Sequence, residues 1–483
     1  MYLGIDLGTS GVKALLLDGD QTVIASANSP LELARPHPGW SEQDPADWID
    51  ATRKALNSLK AQHSRQFGAI KGIGLSGQMH GATLLEASGA VLRPCILWND
   101  TRSHEEAARL DADPRFREVT GNIVFPGFTA PKLLWVRNNE PDIFARIAKV
   151  LLPKDHLRLW LTGEHISEMS DASGTSWLDV ANRRWSAELL AATGLDQQHM
   201  PSLVEGTQPA GRLRKQLAEE WGLGDDIVVA GGAGDNAASA CGMGVVLPGH
   251  AFVSLGTSGV LFAANGSYLP DPESAVHTFC HALPDTWHQM GVILSATDSL
   301  NWLADIAGKE PSELTDALGK DLKAPTGVSF LPYLSGERTP HNDALIRGSF
   351  TGLGHETDRA ALTQAVVEGV AFAFRDSLEA LKAGTELSRV TAIGGGSRSR
   401  YWLKAVATAL GVPVDVPADG DFGAAFGAAR LGLIATETAD PLDVCTQPAT
   451  AETIEPDAAL AGAYFDAYQR YHALYPAIRG VSS

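Results

Sequence analysis

Leu7-Gly8-Thr9-Ser10-Gly11-Val12 stands near the amino terminus, and the same six residues return as Leu255-Gly256-Thr257-Ser258-Gly259-Val260 just past the middle of the 483-residue chain. In both copies a short apolar run leads in and another leads out, so each reads as the tight turn of a β-hairpin. Glycine accepts positive φ and bares its amide, and the Thr and Ser hydroxyls add donors, a combination that can cradle phosphate oxygens. A single copy is as readily an ordinary Gly-rich hairpin. Two identical copies half a chain apart mark a duplicated fold, with a nucleotide held between two phosphate-facing hairpins.

Outward from the first copy, residues 2–6, 12–17 and 22–27 read as three short antiparallel strands, with Asp6 at the end of the first. Asp44-Pro45 supplies an N-cap and a first-turn proline for a core-facing helix. Residues 70–75 read as a buried strand delivering Ser76-Gly77-Gln78-Met79-His80-Gly81 at its carboxyl end, where ligands bind in open α/β sheets. A further apolar run over 91–98 ends in Trp98-Asn99-Asp100-Thr101-Arg102. Helices are expected at 127–135 and after Pro153, and strand 227–230 leads into Gly231-Gly232-Ala233-Gly234-Asp235-Asn236.

The second half repeats the plan from about Pro248, with strands at 260–264, 289–294, 390–393 and 412–416. Helices are expected at 298–306, 357–382 (carrying Glu368), 401–410 and from Gly423, and the tail from about residue 455 reads as one helix. No low-complexity linker is present, so the division falls near residue 246, into domains 1–246 and 247–483, joined by a short hinge.

Lys plus Arg number 38 against 57 Asp plus Glu, a formal net charge of −19, which argues against nucleic-acid and anionic-membrane partners. No run approaches the ~20 apolar residues of a membrane span, and the amino terminus carries no signal pattern. Cys95, Cys241, Cys280 and Cys445 are scattered without paired spacing, as suits a reducing compartment, so a cytoplasmic location is expected.

No G-x-x-x-x-G-K-[ST] string occurs, which removes a P-loop site. Gly232-x-Gly234-x-x-Ala237 imitates a dinucleotide fingerprint, yet no acidic residue follows at the ribose-binding distance. Asp235 follows a Gly run at the end of a buried strand, where a carboxylate can take the proton of an attacking hydroxyl; a plain N-cap is its structural alternative. Asp6 beside the first turn suits magnesium, which takes one or two carboxylates plus water and phosphates. Trp98, Asn99 and Asp100 combine a flat apolar face with donors and acceptors, as hydroxyl-rich ligands require, although Asn99 or Asp100 could equally cap a helix. Gly394-Gly395-Gly396 permits close approach of a base or ribose. His277-x-x-Cys280-His281 lacks a partner pair for zinc and reads as packing.

Together these strings resemble the FGGY carbohydrate kinases of the actin-like ATPase superfamily. GIDLGTS (4–10) looks like the family's first phosphate motif, SLGTSG (254–259) its second, GGGSRS (394–399) its adenosine motif and GAAFGAAR (423–430) its interdomain connection. GFTAPKLLW (127–135) and residues 348–369 are similar to its two signatures, with Ala361 where a polar residue is usual. SGQMHGATLL (76–85), LRPCILWND (92–100), LLPKDHLRL (151–159), AGGAGDNAA (230–238) and FLPYLSGERTPH (330–341) resemble the bacterial branch that phosphorylates D-xylulose.

The resemblance implies an α/β, two-domain actin-like (ribonuclease H-like) ATPase fold with a duplicated core and an interdomain active-site cleft. It implies Asp235 as base, Asp6 near a water-bridged Mg2+, and Gln78, Met79, His80, Trp98, Asn99, Asp100 and Asn236 around the sugar. ATP would meet Gly8, Thr9, Ser10, Gly256, Thr257, Ser258, Gly395, Gly396 and Ser397. Alternatives are another acceptor (ribulose, glycerol, gluconate), or a sugar-sensing or chaperone-like ATPase on the same fold; a homodimer is left open.

Overall fold

Two mixed sheets carry the chain, and they are built to one plan. The structure, a computed structural model, describes residues 1–381, 386–418 and 422–480. In the first sheet the order is Val23–Pro30, Gly11–Leu17, Tyr2–Leu7, Gly72–Gly77, Val228–Ala230 and Pro209–Arg212, with Ala233–Gly234 also beside Gly72–Gly77. In the second it is Trp287–Ile293, Gly259–Asn265, Ala251–Leu255, Val390–Ile393, Val414–Pro417 and Thr450–Ile454, with His277–Cys280 outside Trp287–Ile293. Along both sheets the pairings run antiparallel, antiparallel, parallel, parallel, antiparallel. The duplication read from the repeated hexamer is therefore a duplication of topology.

Each hexamer is the turn of a central hairpin, and in the first Gly8 N donates to Gly11 O at 3.0 Å. Strands that run parallel on the far side of each hairpin bring their carboxyl ends to the turn, the edge at which open α/β sheets bind ligands. The helix Pro45–Gln62 starts as its sequence demands, with Asp44 accepting from Ala46 N at 2.9 Å and proline in the first turn. It buries Trp48, Ala51, Ala55, Leu56 and Leu59. Arg359–Leu381 fills the equivalent role behind the second sheet.

One element crosses between the halves. The helix Ala424–Glu437 lies against the first sheet, so close that a Cβ on Gly4 or Gly74 would come within 1.8 Å of the carbonyl of Ala425 or Ala428. A Cβ on Gly427 would likewise meet Ala238 O, in the helix Asp235–Met243, at 1.8 Å. Glycine is required there because backbone packs on backbone. Arg430 locks the contact, donating to Cys241 O at 2.8 Å, Gly242 O at 3.0 Å and Thr446 O at 2.8 Å.

Some expected elements differ. The apolar run over 91–98 yields only a two-residue strand, Cys95–Ile96, which pairs briefly with Glu42–Gln43; of the run only Cys95, Ile96 and Leu97 are buried, while Val91 and Trp98 are exposed. The tail expected as one helix from about residue 455 is the helix Ala461–Arg479, and just ahead of it Thr450–Ile454 joins the second sheet as a strand the sequence did not indicate. The helix expected over 357–382 is Arg359–Leu381, and Lys382 lies outside the described residues. Among the described residues no helix is long and apolar enough to cross a membrane.

Candidate active site

Strand register assembles the first part of the site. Asp6 pairs with Ser76, and Ser76 with Ala233, so three neighbouring strands end in one row. Ser76 Oγ donates to Asp6 Oδ1 at 2.9 Å. Two residues beyond Ala233, Asp235 opens the helix Asp235–Met243 with Gly234 as its N-cap, so it is not itself the cap. Its Oδ1 accepts from Asn236 N at 2.7 Å and Asn236 Nδ2 at 3.0 Å, and among the described residues no protein group donates to Oδ2. Burial, and then the Asp6 carboxylate, push the Asp235 pKa up to about 6. Such a carboxylate is ionised at neutral pH yet more basic than an ordinary Asp, which suits a general base.

A relay of amides holds the first hairpin turn. Trp98 Nε1 donates to Thr9 Oγ1 at 2.9 Å, and Thr9 Oγ1 donates to Gln78 Oε1 at 3.0 Å. Gln78 Nε2 donates to Gln43 Oε1 at 3.0 Å, and Gln43 Nε2 returns to Thr9 O at 2.7 Å. Gln78 and Trp98, expected against substrate, thus have their polar atoms engaged in shaping the turn that presents Gly8, Thr9 and Ser10.

His80 sits in the left-handed region at φ 71, a conformation that needs restraint in a non-glycine residue. Two side chains supply it: Thr129 Oγ1 and Lys132 Nζ donate to His80 O at 3.0 and 2.9 Å. The ring stacks on Phe128 at 4.5 Å, and Nδ1 lies 2.7 Å from Gly174 O. A carbonyl only accepts, so Nδ1 carries the proton and Nε2 is left as an acceptor. Burial lowers the His80 pKa to about 3, so the ring is neutral. Met79 is buried beside it with Ile123, Phe125 and Phe128.

The second half completes this wall. Phe279 and His277 lie near the Phe128 ring at 6.0 and 5.6 Å, and Arg338 sits over Phe125 at 4.6 Å and donates to His277 Nε2 at 3.4 Å. His277 and Cys280 are therefore packing residues; Cys280 Sγ bonds Val180 O. Asn122 clamps the backbone of Thr278 from the first half at 2.9 Å in both directions.

At the second hairpin, Gly256 O accepts from Thr297 N at 2.9 Å and Thr297 Oγ1 at 2.8 Å, and Thr257 O accepts from Ala296 N at 2.9 Å. Thr257 and Ser258 remain exposed. Beside this turn a cavity of about 360 Å³ is lined by Gly395, Gly396, Ser399, Thr297, Asn301 and Trp402. Its size and mixed lining suit a nucleoside. Ser397 instead folds its hydroxyl onto Gly394 O at 2.7 Å.

Two residues of the Trp98-Asn99-Asp100 string part company. Asp100 is buried, accepting from Ser41 N at 2.6 Å and pairing with Arg102 at 2.7 Å, so it braces the chain rather than facing a ligand. Asn99 Oδ1 is buried with no hydrogen-bond partner among the described residues. Sequence reasoning missed Gln43, Phe128, Lys132 and Arg338. Phe128 and Lys132 stood inside the quoted GFTAPKLLW string and Arg338 inside SGERTPH, but nothing in their spacing assigned them to His80 or its wall.

The first-half model of the FGGY family of carbohydrate kinases matches residues 1–242, and the second-half model matches 251–436. The chain belongs to the FGGY family of carbohydrate kinases, with the actin-like duplicated fold that its two sheets display. It is 49% identical over 480 residues to a xylulose kinase of Escherichia coli strain K12, covering 98% of each chain. A crystal structure described as a xyloylose kinase from Brucella ovis is 70% identical, with a TM-score of 0.99 and 99% of each chain covered. A xylulose kinase from Rhodospirillum rubrum is 32% identical, with a TM-score of 0.92 over 99% of each chain.

Proposed function

We propose that this carbohydrate kinase transfers the γ-phosphoryl group of ATP to O5 of D-xylulose, giving D-xylulose 5-phosphate and ADP. The observation that carries the reading is Asp235 set beside Asp6 at the end of the strand row, its pKa pushed up to about 6, with neutral His80 on the adjoining strand end. The full-length similarity to proteins described as xylulose kinases favours the ketopentose as acceptor.

In this reading Asp235 Oδ2 takes the proton of the 5-hydroxyl as that oxygen bonds to the γ-phosphorus. The bond from that phosphorus to the bridging oxygen breaks, and its electron pair leaves with ADP. His80 Nε2 accepts from a sugar hydroxyl, Asn99 and Asn236 add amides, and Met79 with Phe128 offers the apolar face. Backbone amides of the 7–12 and 255–260 turns face phosphate oxygens, and the nucleoside enters the cavity at Gly395 and Gly396. The donor set fits magnesium: Asp6 is a carboxylate at a phosphate-facing turn, and a bound ion would neutralise phosphate charge there.

The division into 1–246 and 247–483 is supported by the two sheets, each drawn from one part of the chain, although the helix Ala424–Glu437 packs on the first sheet. A cytoplasmic location is supported by four free, buried cysteines. The test is ADP release with D-xylulose, L-ribulose, glycerol and gluconate beside a no-sugar control. Preference for D-xylulose supports the reading; preference for another acceptor keeps the kinase and changes the substrate. Equal turnover without sugar overturns the kinase reading.

A further inference from the structure

The loop that carries Asp235 has no polar side chain with which to hold itself. Residues 231–234 are Gly-Gly-Ala-Gly, with Ala233 in the core, so every polar contact to them is made through the main chain, among them Gly231 N to Gln208 O at 2.8 Å and Gly232 N to Gly206 O at 3.0 Å. Gly232 is left-handed at φ 73, and a Cβ there would meet Leu75 O at 2.1 Å, so the loop is pressed against the strand Gly72–Gly77.

Two side chains grip it. Arg158 Nη2 donates to Gly231 O, and Ser170 Oγ accepts from Gly234 N at 3.1 Å. Neither is free to move. Arg158 Nη1 also donates to Asp155 Oδ1 at 2.6 Å and Ile166 O at 2.7 Å. Ser170 Oγ donates to Glu168 Oε2 at 2.8 Å, which turns a lone pair toward Gly234 N–H. Glu168 further accepts from Ser170 N at 2.7 Å and Asp171 N at 2.9 Å.

Lys154 joins the two grips. Its Nζ lies 2.7 Å from Asp155, 3.5 Å from Glu168 and 3.3 Å from Asp171, and all five charged side chains of the group are fully buried. Burial holds the Asp171 carboxyl well above its usual range and raises that of Glu168 as well. Lys154 and Arg158 supply the positive charge that such an enclosed group of carboxyls requires.

We propose that Arg158 and Ser170 are positioning residues for phosphoryl transfer, fixing the 231–234 loop so that the Asp235 carboxylate meets the sugar hydroxyl. The inference rests on Asp235 being the base. Neither residue touches substrate, so their loss acts on the alignment of the base and leaves the sugar and nucleotide pockets formed. A displacement of order 1 Å at a reacting group lowers rate by about 100-fold.

Ser170→Ala removes the grip on Gly234 while Glu168 keeps its two backbone donors. It is expected to lower kcat for D-xylulose by about tenfold or more with KM for sugar and ATP within about twofold. Arg158→Lys keeps the charge but loses the fork that reaches Gly231, and is expected to show the same split. Thermal unfolding of the same preparations establishes that each is folded.

Unchanged kcat in folded Ser170→Ala overturns the inference, as does a loss matched by a proportional rise in KM. Asp235→Asn is run alongside. If that variant retains activity, the base reading fails and takes the inference with it. If it is inactive while Ser170→Ala and Arg158→Lys are unaffected, the base stands and the positioning role alone is refuted.

Discussion

Replacing Asp235 with Asn should inactivate the protein and stabilise it at once. The amide keeps an Oδ1 that can accept the two bonds now made by Asn236, at 2.7 and 3.0 Å, so the local geometry is retained. What is lost is the proton acceptor, worth ~100- to 10,000-fold in rate for a positioned base, or about 3–5.5 kcal/mol of barrier. What is gained follows from the carboxylate's environment. Its pKa rises from 3.8 to about 6 on folding. The folded state therefore binds the proton more tightly than the unfolded chain, so stability declines as pH rises from about 4 through about 6 and the penalty is full above that. At about 1.4 kcal/mol per pH unit the penalty approaches 3 kcal/mol, and solvent screening of the partly buried carboxylate reduces it to about 1–2 kcal/mol.

Asp235→Asn should thus unfold at higher temperature than the parent at pH 7.5 and at the same temperature at pH 4, while sugar-dependent ADP release falls at least about 100-fold. Thermal scans at both pH values and an ADP-release assay on one preparation test this. More than a few per cent of parental turnover would refute the base assignment. A variant less stable at pH 7.5 would refute the electrostatic argument instead.

Three further outcomes follow from the same geometry. Because Asp235 must be ionised and burial, then Asp6, push its pKa up to about 6, kcat/KM should fall tenfold per pH unit below about 6, and a limb near 3.8 would contradict the burial of Asp235 beside Asp6. His80→Ala removes an acceptor and a ring stacked on Phe128 at 4.5 Å, and should raise KM for the sugar by about 10- to 100-fold, with no imidazole titration between pH 5 and 8 in the parent because His80 is neutral there. Gly74→Ala forces a Cβ to 1.8 Å from Ala428 O and should destabilise by about 3 kcal/mol or more, whereas Gly395→Val meets no atom within 4 Å at its Cβ and should leave unfolding unchanged while raising KM for ATP about tenfold or more.

The glycines show how far local sequence reaches. The repeated Leu-Gly-Thr-Ser-Gly-Val announced two hairpins, because tight turns need residues that few other strings supply, and the strands beside them followed from alternating and continuous apolar runs. Asp235 was legible for a similar reason, as a lone carboxylate after a Gly run at a strand end. The edge strand Thr450–Ile454, just ahead of the tail helix, was not legible, because it becomes a strand only by pairing with Val414–Pro417, a partner its own composition does not reveal.

Sequence by itself determined the duplication, the two glycine-rich hairpin turns and the residues most able to do chemistry, since each depends on local backbone geometry or on side-chain type. Tertiary structure alone decided which of those residues are tied up by protein partners. Asp100 and Gln78 looked like sugar contacts, yet one closes on Arg102 and the other on Thr9 and Gln43, because partners distant in the chain arrive first. The raised pKa of Asp235, the clamp of Lys132 on His80 and the grip of Arg158 and Ser170 on the 231–234 loop belong to the same class. Each is a property of distance and burial between residues far apart in sequence, and distance of that kind is set only when the two sheets and the helices between them pack.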